Sequence, residues 1–563
     1  MHYQTLLTLT LGASALAARP NIILIITDDQ DVRTNTLSFM PKLQSLVAEQ
    51  GTTFNRFHAP VSLCCPSRVS LLTGQYAHNH NVTFVSGPFG GYRTFCEKGY
   101  SGESLSDFLQ DAGYATYYTG KLMNGLTFPA ITACPTTGWT SSDFLIDPNV
   151  YLYYNSSFSA NGEPVVNHLG EYQVDVIEQK ASSFLQDAIS GLNSSTPFFL
   201  GIAPTAPHLE VQFNGSFTEP LPAPGDEDLF EGIPVPENPN FNVQGGVSWV
   251  KSMPELNETV IEYFDHLYRQ RLRALQSVDS LVESIVQQVE DAGIADNTYI
   301  IYVADNGYAL GSHRRQPGKC LPFQEDVIVP FLVRGPGIPT NLTNDQVYSM
   351  PDLTATILDI ANASASYPID GRVIAFTESE QVCVQDSSQE IEGAPAQTIV
   401  EYWNGALEEG TYAFEGSNGV RDNTTYRSIQ AIDGDEQDWV YGVWCTGERE
   451  LYDLKTDPWQ INNLATNTAS GFDSFEFSSN TSSQVASRLD ALLIVLKTCI
   501  GEVCRDPWKA IFPNQTVSSL SDALSSDFDE YFTSLPKFRY EKCQFGYFDN
   551  LESPKWNESL AFV

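Results

Sequence analysis

The chain has 563 residues, 42% of them hydrophobic and 12% aromatic, and 69 acidic against 30 basic side chains give it a formal charge of −39. That length accommodates one large core with a second, smaller domain. So acidic a balance excludes nucleic acid, which needs a basic footprint, and anionic membrane surfaces; an anionic ligand has to be held by cations within about 8 Å, the screening length at physiological ionic strength.

Leu6 to Leu16 is a short apolar run, and Ala15-Leu16-Ala17 has the small-residue spacing that signal peptidase cuts, which predicts a signal peptide over residues 1–18. The mature protein is then expected to be secreted or extracellular, with a vacuolar or lysosome-like compartment or the cell wall as other destinations. No other stretch approaches the roughly 18 consecutive apolar residues of a membrane span. Sequons begin at Asn81, Asn155, Asn193, Asn214, Asn257, Asn341, Asn362, Asn423, Asn480, Asn514 and Asn557, and predict N-glycans. None of the ten cysteines shows C-x-x-C zinc spacing, so disulfides are expected. Cys499 and Cys504 are close enough for a local bridge; the remaining connectivity and the oligomeric state are not legible.

Asn21 to Thr27 reads as a strand buried in a parallel sheet, ending abruptly in Asp28-Asp29-Gln30-Asp31. Short strands at Thr116–Thr119 and Pro197–Ile202 follow helical segments; the helix before the second carries Val174, Ile177, Ala181, Phe184 and Leu185 on one face. Residues 128–164 and 213–254, rich in Gly, Pro and aromatics, read as long excursions over the sheet edge. A longer helix runs through Leu275, Val278, Val282, Ile285 and Val289 and stops at Gly293. Strand Tyr299–Val303 follows and ends in Asp305-Asn306-Gly307. Helix and apolar strand in alternation predict an α/β domain with a mainly parallel sheet over 19–390, with ligands at the carboxyl ends of its strands. From 391 to 563, strands such as Gln397–Tyr402 and Trp439–Trp444, a helix near Ser483–Thr498 and an irregular tail predict a smaller α+β domain.

Pro66 suits the first turn of a helix that Val69, Leu71 and Leu72 continue, which puts Cys64 at a helix N-terminus, where negative charge is favoured. On these local features alone, a disulfide cysteine before a helix is the favoured reading.

Cys64-Cys65-Pro66-Ser67-Arg68 with Leu71-Leu72-Thr73-Gly74 resembles the C-x-P-S-R signature of the formylglycine sulfatases. Further blocks follow in order: Ile25 to Gln30, Tyr118-Thr119-Gly120-Lys121, Ala203 to His208, Ala304-Asp305-Asn306-Gly307-Tyr308, Lys319 with Val329 to Gly337, and Glu450 to Leu454 with Asp457-Pro458 and Asn463-Leu464. They are most similar to fungal arylsulfatases and glucosamine-6-sulfatases. The resemblance implies an alkaline-phosphatase-like α/β fold and hydrolysis of aryl or sugar sulfate monoesters, with release of inorganic sulfate.

It also implies that Cys64 is oxidised to formylglycine by a formylglycine-generating enzyme. One hydroxyl of the hydrated aldehyde attacks sulfur, and the other loses its proton to expel sulfate; a serine has no second hydroxyl for that step. Asp28, Asp29, Asp305, Asn306 and the modified Cys64 form an all-oxygen set suited to Ca²⁺, with Mg²⁺ as the alternative, and Asp31 lies outside it. Arg68, Lys121 and Lys319 supply the cations; Lys121, His208 and Lys319 bind the substrate, and His208 protonates the leaving oxygen. Phosphate and phosphonate ester hydrolases share scaffold and nucleophile, so they remain a rival class. Many arylsulfatases have a G-K-x-H block where this chain has Met123 and Asn124, which leaves open the base that assists elimination; His78, His80 and His313 lie in or beside the blocks. With Cys64 consumed, at least one of nine cysteines stays unpaired within a monomer, and Cys65 is the candidate.

Overall fold

The computed structural model describes residues 19–191, 196–376, 397–412, 420–434, 436–467 and 475–562. The signal peptide expected over 1–18, the sequon at Asn193, Cys383 and the boundary expected at 390/391 lie outside the described residues.

Ten strands form the main sheet: β1 (Asn21–Thr27), β2 (Thr52–His58), β3 (Ala115–Gly120), β4 (Ser141–Leu145), β5 (Asn155–Ala160), β6 (Val166–Leu169), β7 (Phe198–Ala203), β8 (Thr298–Ala304), β9 (Phe331–Arg334) and β10 (Leu342–Ser349). Their order is β10-β2-β9-β8-β1-β7-β3-β4-β5-β6. The central run β8-β1-β7-β3-β4 is parallel throughout, whereas β9 and β5 introduce antiparallel pairings on either side.

Every residue of β1 is buried, which its unbroken aliphatic run requires of a strand covered on both faces. Ile22, Leu24 and Ile26 face a core shared with helices α1 (Cys64–Thr73), α2 (Leu105–Asp111) and α5 (Met350–Ala361). Ile23 and Ile25 face the opposite core, built with α3 (Gln173–Gly191) and α4 (Glu258–Asp291). At about 1.5–3 kcal/mol for each fully buried aliphatic side chain, this one strand contributes stabilisation comparable to the net stability of a whole domain.

Residues 128–164 are more than an excursion: they supply β4 and β5, which extend the sheet. Their Ser-rich sequences, SSDFL and NSSFSA, lack the apolar alternation that marks a strand, yet Phe144, Leu145 and Phe158 are buried. Residues 213–254 do run mostly without regular structure.

A second, antiparallel sheet has the order β11 (Gln397–Tyr402), β12 (Tyr426–Asp433), β13 (Gln437–Trp444) and β14 (Arg449–Asp453). One face, with Ile399, Ile429 and Tyr441, packs on α6 (Asn480–Leu496). The other, with Val400, Tyr426 and Trp444, covers Val61 and Leu63 just ahead of α1. The tail expected to be irregular contains short helices at Pro507–Ile511 and Asp529–Ser534 and is tied back by a Cys445–Cys543 disulfide. Cys96–Cys134 and Cys499–Cys504 are also bridged, the latter as its spacing suggested.

Candidate active site

Parallel registry does most of the assembly. Thr27 of β1 pairs with Ala304 of β8, so the residues that follow, Asp28-Asp29 and Asp305-Asn306, leave the sheet side by side. Asp29 turns with φ +63, and its N–H donates to Asp305 Oδ1 at 3.1 Å. Gly120 of β3 pairs with Ala203 of β7, which delivers Lys121 and, five residues after Ala203, His208 to the same edge. Lys319 comes from a two-residue strand in which Gly318 and Lys319 pair with Glu408 and Leu407.

Cys64 is the first residue of α1, and this helix is buried along its whole length, which fixes the approach of the side chain. Its Sγ lies 3.4 Å from Asp28 Oδ1, 3.8 Å from Asp29 Oδ1 and 3.1 Å from Lys319 Nζ. One turn on, Arg68 Nε donates to Asp305 Oδ2 at 2.7 Å, and its guanidinium is 3.5 Å from Asp28. Lys121 is paired with Asp28 and Lys319 with Asp29. His208 Nδ1 donates to the Leu209 carbonyl at 2.6 Å, which leaves Nε2 facing Asp29 Oδ2 at 3.4 Å.

A buried unpaired charge costs several kcal/mol, so the pairing decides which charges persist. Burial pushes the Asp28 carboxyl up, but Lys121, His208 and Arg68 outweigh it and the net shift is downward. At Asp29 burial is likewise outweighed, by Lys319 and His208. The Lys121 and Lys319 ammoniums, pulled down by burial, end well above their ordinary value beside Asp28 and Asp29 respectively. Cys64 goes the other way: burial and the Asp28 carboxylate lift its thiol well above the usual range despite Lys121 and Lys319. An unaltered thiol here stays protonated at neutral pH and is a poor nucleophile.

The donor set fits a hard divalent cation. Asp29 Oδ2 and Asn306 Oδ1 are buried without a hydrogen-bond partner, and ligand atoms of Asp28, Asp29, Cys64 and His208 lie within 4.8 Å of one another. Carboxylate and amide oxygens suit Ca²⁺ or Mg²⁺. Asp31 accepts instead from Thr34, at 2.6 Å from its N–H and 2.7 Å from its hydroxyl.

Residues 20–363 match the model of the family described as Sulfatase. The chain belongs to the sulfatase family. Over 95% of its length it is 34% identical to an arylsulfatase of Volvox carteri, covering 83% of that protein. It is 29% identical to the N-acetylglucosamine-6-sulfatase of Homo sapiens, with 88% of each chain covered. Among solved structures, one described as being in complex with its substrate D-glucosamine-2-N,6-O-disulfate superposes with a TM-score of 0.60 at 21% identity, covering 79% of this chain and 93% of that one. The sulfatase is thus a sulfuric ester hydrolase on the alkaline-phosphatase-like fold.

The sulfatase's nine expected site residues all come together at the strand ends. The three histidines considered for the missing G-K-x-H base are engaged elsewhere. His78 pairs with Glu401 at 2.7 Å, His80 lies 3.0 Å from Ser70 Oγ, and His313 lies tilted against Phe323 with ring centroids 4.3 Å apart. Met123 is core, and Asn124 donates to the Tyr151 hydroxyl at 2.6 Å. Cys65 is buried and free, and so is Cys320.

Sequence reasoning missed three neighbours. Tyr151 stacks on His208 with ring centroids 4.2 Å apart, and Lys121 Nζ lies 4.8 Å over the same ring. Arg271 of α4 donates to the Asp29 carbonyl at 2.5 Å and to the Pro207 carbonyl at 3.2 Å. Glu409 is a buried carboxylate near Lys319, Asp29 and His208. Arg271 alone had a signal, a charge set four residues from both Leu267 and Leu275 on the apolar stripe of α4.

Proposed function

We propose that this sulfatase hydrolyses sulfate monoesters of an aryl or sugar alcohol with Cys64 converted to formylglycine and Ca²⁺ (or Mg²⁺) held by Asp28, Asp29, Asp305, Asn306 and residue 64. The observation that carries the reading is a buried sulfur at the first position of α1, between two carboxylates and the Lys319 ammonium. Such a thiol is a poor nucleophile, whereas a hydrated aldehyde there supplies both the attacking hydroxyl and the second hydroxyl whose deprotonation releases sulfate. The divalent ion, when bound, supplies Lewis acidity toward the sulfate oxygens.

The remaining work falls to side chains already in place. Arg68, tied to Asp305 and close to Asp28, keeps three carboxylates from expelling an anionic substrate. Lys121, paired with Asp28, and Lys319, paired with Asp29 and 3.1 Å from Cys64 Sγ, bind sulfate oxygens. His208, with Nδ1 committed to a carbonyl, delivers a proton to the leaving oxygen through Nε2. Tyr151 holds the His208 and Lys121 side chains at their stations.

We further propose secretion with N-glycans, after removal of residues 1–18, and division of the mature chain near residue 390. Eight sequon asparagines are exposed: Asn214, Asn257, Asn341, Asn362, Asn423, Asn480, Asn514 and Asn557. Three disulfides fit an oxidising compartment. Among the described residues, no helix is long and apolar enough to cross a membrane.

The experiment is turnover of 4-nitrophenyl sulfate by purified wild type, Cys64→Ala and Cys64→Ser. Wild type releases sulfate, the Ala variant does not, and the Ser variant stops with sulfate esterified to residue 64. A Ser variant turning over like wild type contradicts the two-hydroxyl scheme, and an Ala variant that remains active removes residue 64 from the chemistry.

A further inference from the structure

Arg271 projects from α4 toward the strand ends, lies outside the motif blocks and is fully buried. The helix that carries it is fixed in place. Ala274, Leu275 and Val278 sit in the core on that side of the sheet, and the Tyr268 hydroxyl donates to the Thr34 carbonyl at 2.7 Å. From this base, one guanidinium touches the loops that follow three strands. Nη2 donates to the Asp29 carbonyl, beyond β1, at 2.5 Å, and Nη1 donates to the Pro207 carbonyl, beyond β7, at 3.2 Å. Cζ lies 4.3 Å from the centroid of the Tyr308 ring, two residues past Asn306 on the loop after β8.

Neither charge nor packing accounts for an arginine here. Its ion-pair partner among the described residues, Asp31, is 4.0 Å away. A buried guanidinium so loosely paired is destabilising relative to an apolar side chain of similar volume. What it adds is geometry: a planar fork bonds two carbonyls at once while stacking on a ring, which a lysine cannot do. Those two carbonyls adjoin the groups that matter. Asp29 adopts φ +63, a conformation that residues with a Cβ rarely take, and it is held there from both sides. Its N–H is bound by Asp305 Oδ1 at 3.1 Å and its carbonyl by Arg271. Pro207 leads directly into His208, whose own N–H donates to the Thr205 carbonyl at 2.9 Å. The side chains so placed face one another, Asp29 Oδ2 to His208 Nε2, at 3.4 Å.

We infer that Arg271 is a positioning residue: by holding the Asp29 and Pro207 peptides in one fork, it sets the ion ligand and the proton donor at a fixed distance from each other. The inference rests on the sulfate-ester reading above and adds a residue that acts only through Asp29 and His208. Groups that orient the ligands of a metal change its affinity about 10–100-fold when removed. A misplaced acid is felt most with a poor leaving group. Loss of the fork therefore shows in ion binding and in proton delivery together.

The test uses full-length Arg271→Lys and Arg271→Met beside wild type. Melting temperatures in chelator report the fold, and titrating Ca²⁺ against the melting temperature reports ion affinity without turnover. Values of kcat on 4-nitrophenyl sulfate and phenyl sulfate report the leaving-group dependence. Both variants are expected to fold and to need about tenfold more Ca²⁺ for half of the full melting shift. Their kcat ratio, 4-nitrophenyl over phenyl, is expected to rise about threefold or more. The Lys variant follows Met and not wild type, since one ammonium cannot span both carbonyls. In a folded variant, either quantity staying within about twofold of wild type overturns the proposal. Failure of both variants to fold in chelator also overturns it, by making Arg271 a residue of the fold alone. So does wild type whose melting ignores both Ca²⁺ and Mg²⁺, because Asp29 then holds no ion. Wild type that hydrolyses neither ester defeats the sulfate-ester reading instead, and the Ca²⁺ titration alone then decides on Arg271.

Discussion

With Nδ1 hydrogen-bonded to the Leu209 carbonyl, His208 has only Nε2 through which to pass a proton, and Asp29 faces that atom. General acid catalysis contributes about 10²–10⁴-fold and matters most for poor leaving groups. His208→Gln is therefore expected to cost about 100-fold on phenyl sulfate and several times less on 4-nitrophenyl sulfate, in steady-state kcat. An equal loss on both esters would remove His208 from the proton transfer. The residues at this scale differ in how far sequence discloses them. Asp28, Cys64 and Asp305 each sit where a strand ends or a helix begins in a short linear motif, so chemistry and position are written together. Tyr151 and Glu409 reach the site from segments with no periodicity, and only the tertiary contacts with His208 and Lys319 reveal them.

Among the elements, β14 offers a handle on stability that is independent of turnover. Its Glu450 is buried against β13, accepting from Trp444 Nε1 at 2.7 Å and from the Tyr452 hydroxyl at 2.7 Å. Burial, only partly offset by those two donors, pushes its carboxyl from 4.5 up to about 7. The folded state then keeps a proton that the unfolded state releases above pH 4.5, so this group's contribution to stability is complete below that pH and is lost as pH rises toward 7. The loss reaches about 3 kcal/mol. Denaturant unfolding at pH 5 and pH 8 should show a pH dependence in wild type that Glu450→Gln reduces by about 2.5 kcal/mol; parallel curves for the two proteins would refute the assignment. The elements themselves were legible to different degrees. β1, β7 and β8 announce themselves as aliphatic runs because both faces are covered. β4 and β5 do not, because one aromatic or leucine among serines is enough to anchor a strand whose backbone pairs do the rest. The bridge between Cys445 and Cys543 spans 98 residues and has no local signature.

For the molecule as a whole, a net charge of −39 works against an anionic substrate, and the site answers with a compact inner set of cations: Arg68, Lys121, Lys319 and the proposed divalent ion. Because such an ion binds the assembled strand ends and not the unfolded chain, it should stabilise the fold as well as serve catalysis, by about 2.7 kcal/mol at an ion concentration 100 times its Kd. Chelation is expected to abolish turnover and lower the melting temperature, with Ca²⁺ restoring both; unchanged melting and activity in chelator would count against the ion. The chemistry turns on what occupies position 64, and mass spectrometry of the peptide that contains it, from secreted active protein, reads this directly. The expected species is the aldehyde, lighter than the cysteine form by the exchange of sulfur and two hydrogens for oxygen, and captured by an aldehyde-reactive hydrazide. Fully active protein whose peptide carries only an intact, alkylatable thiol at Cys64 would contradict it.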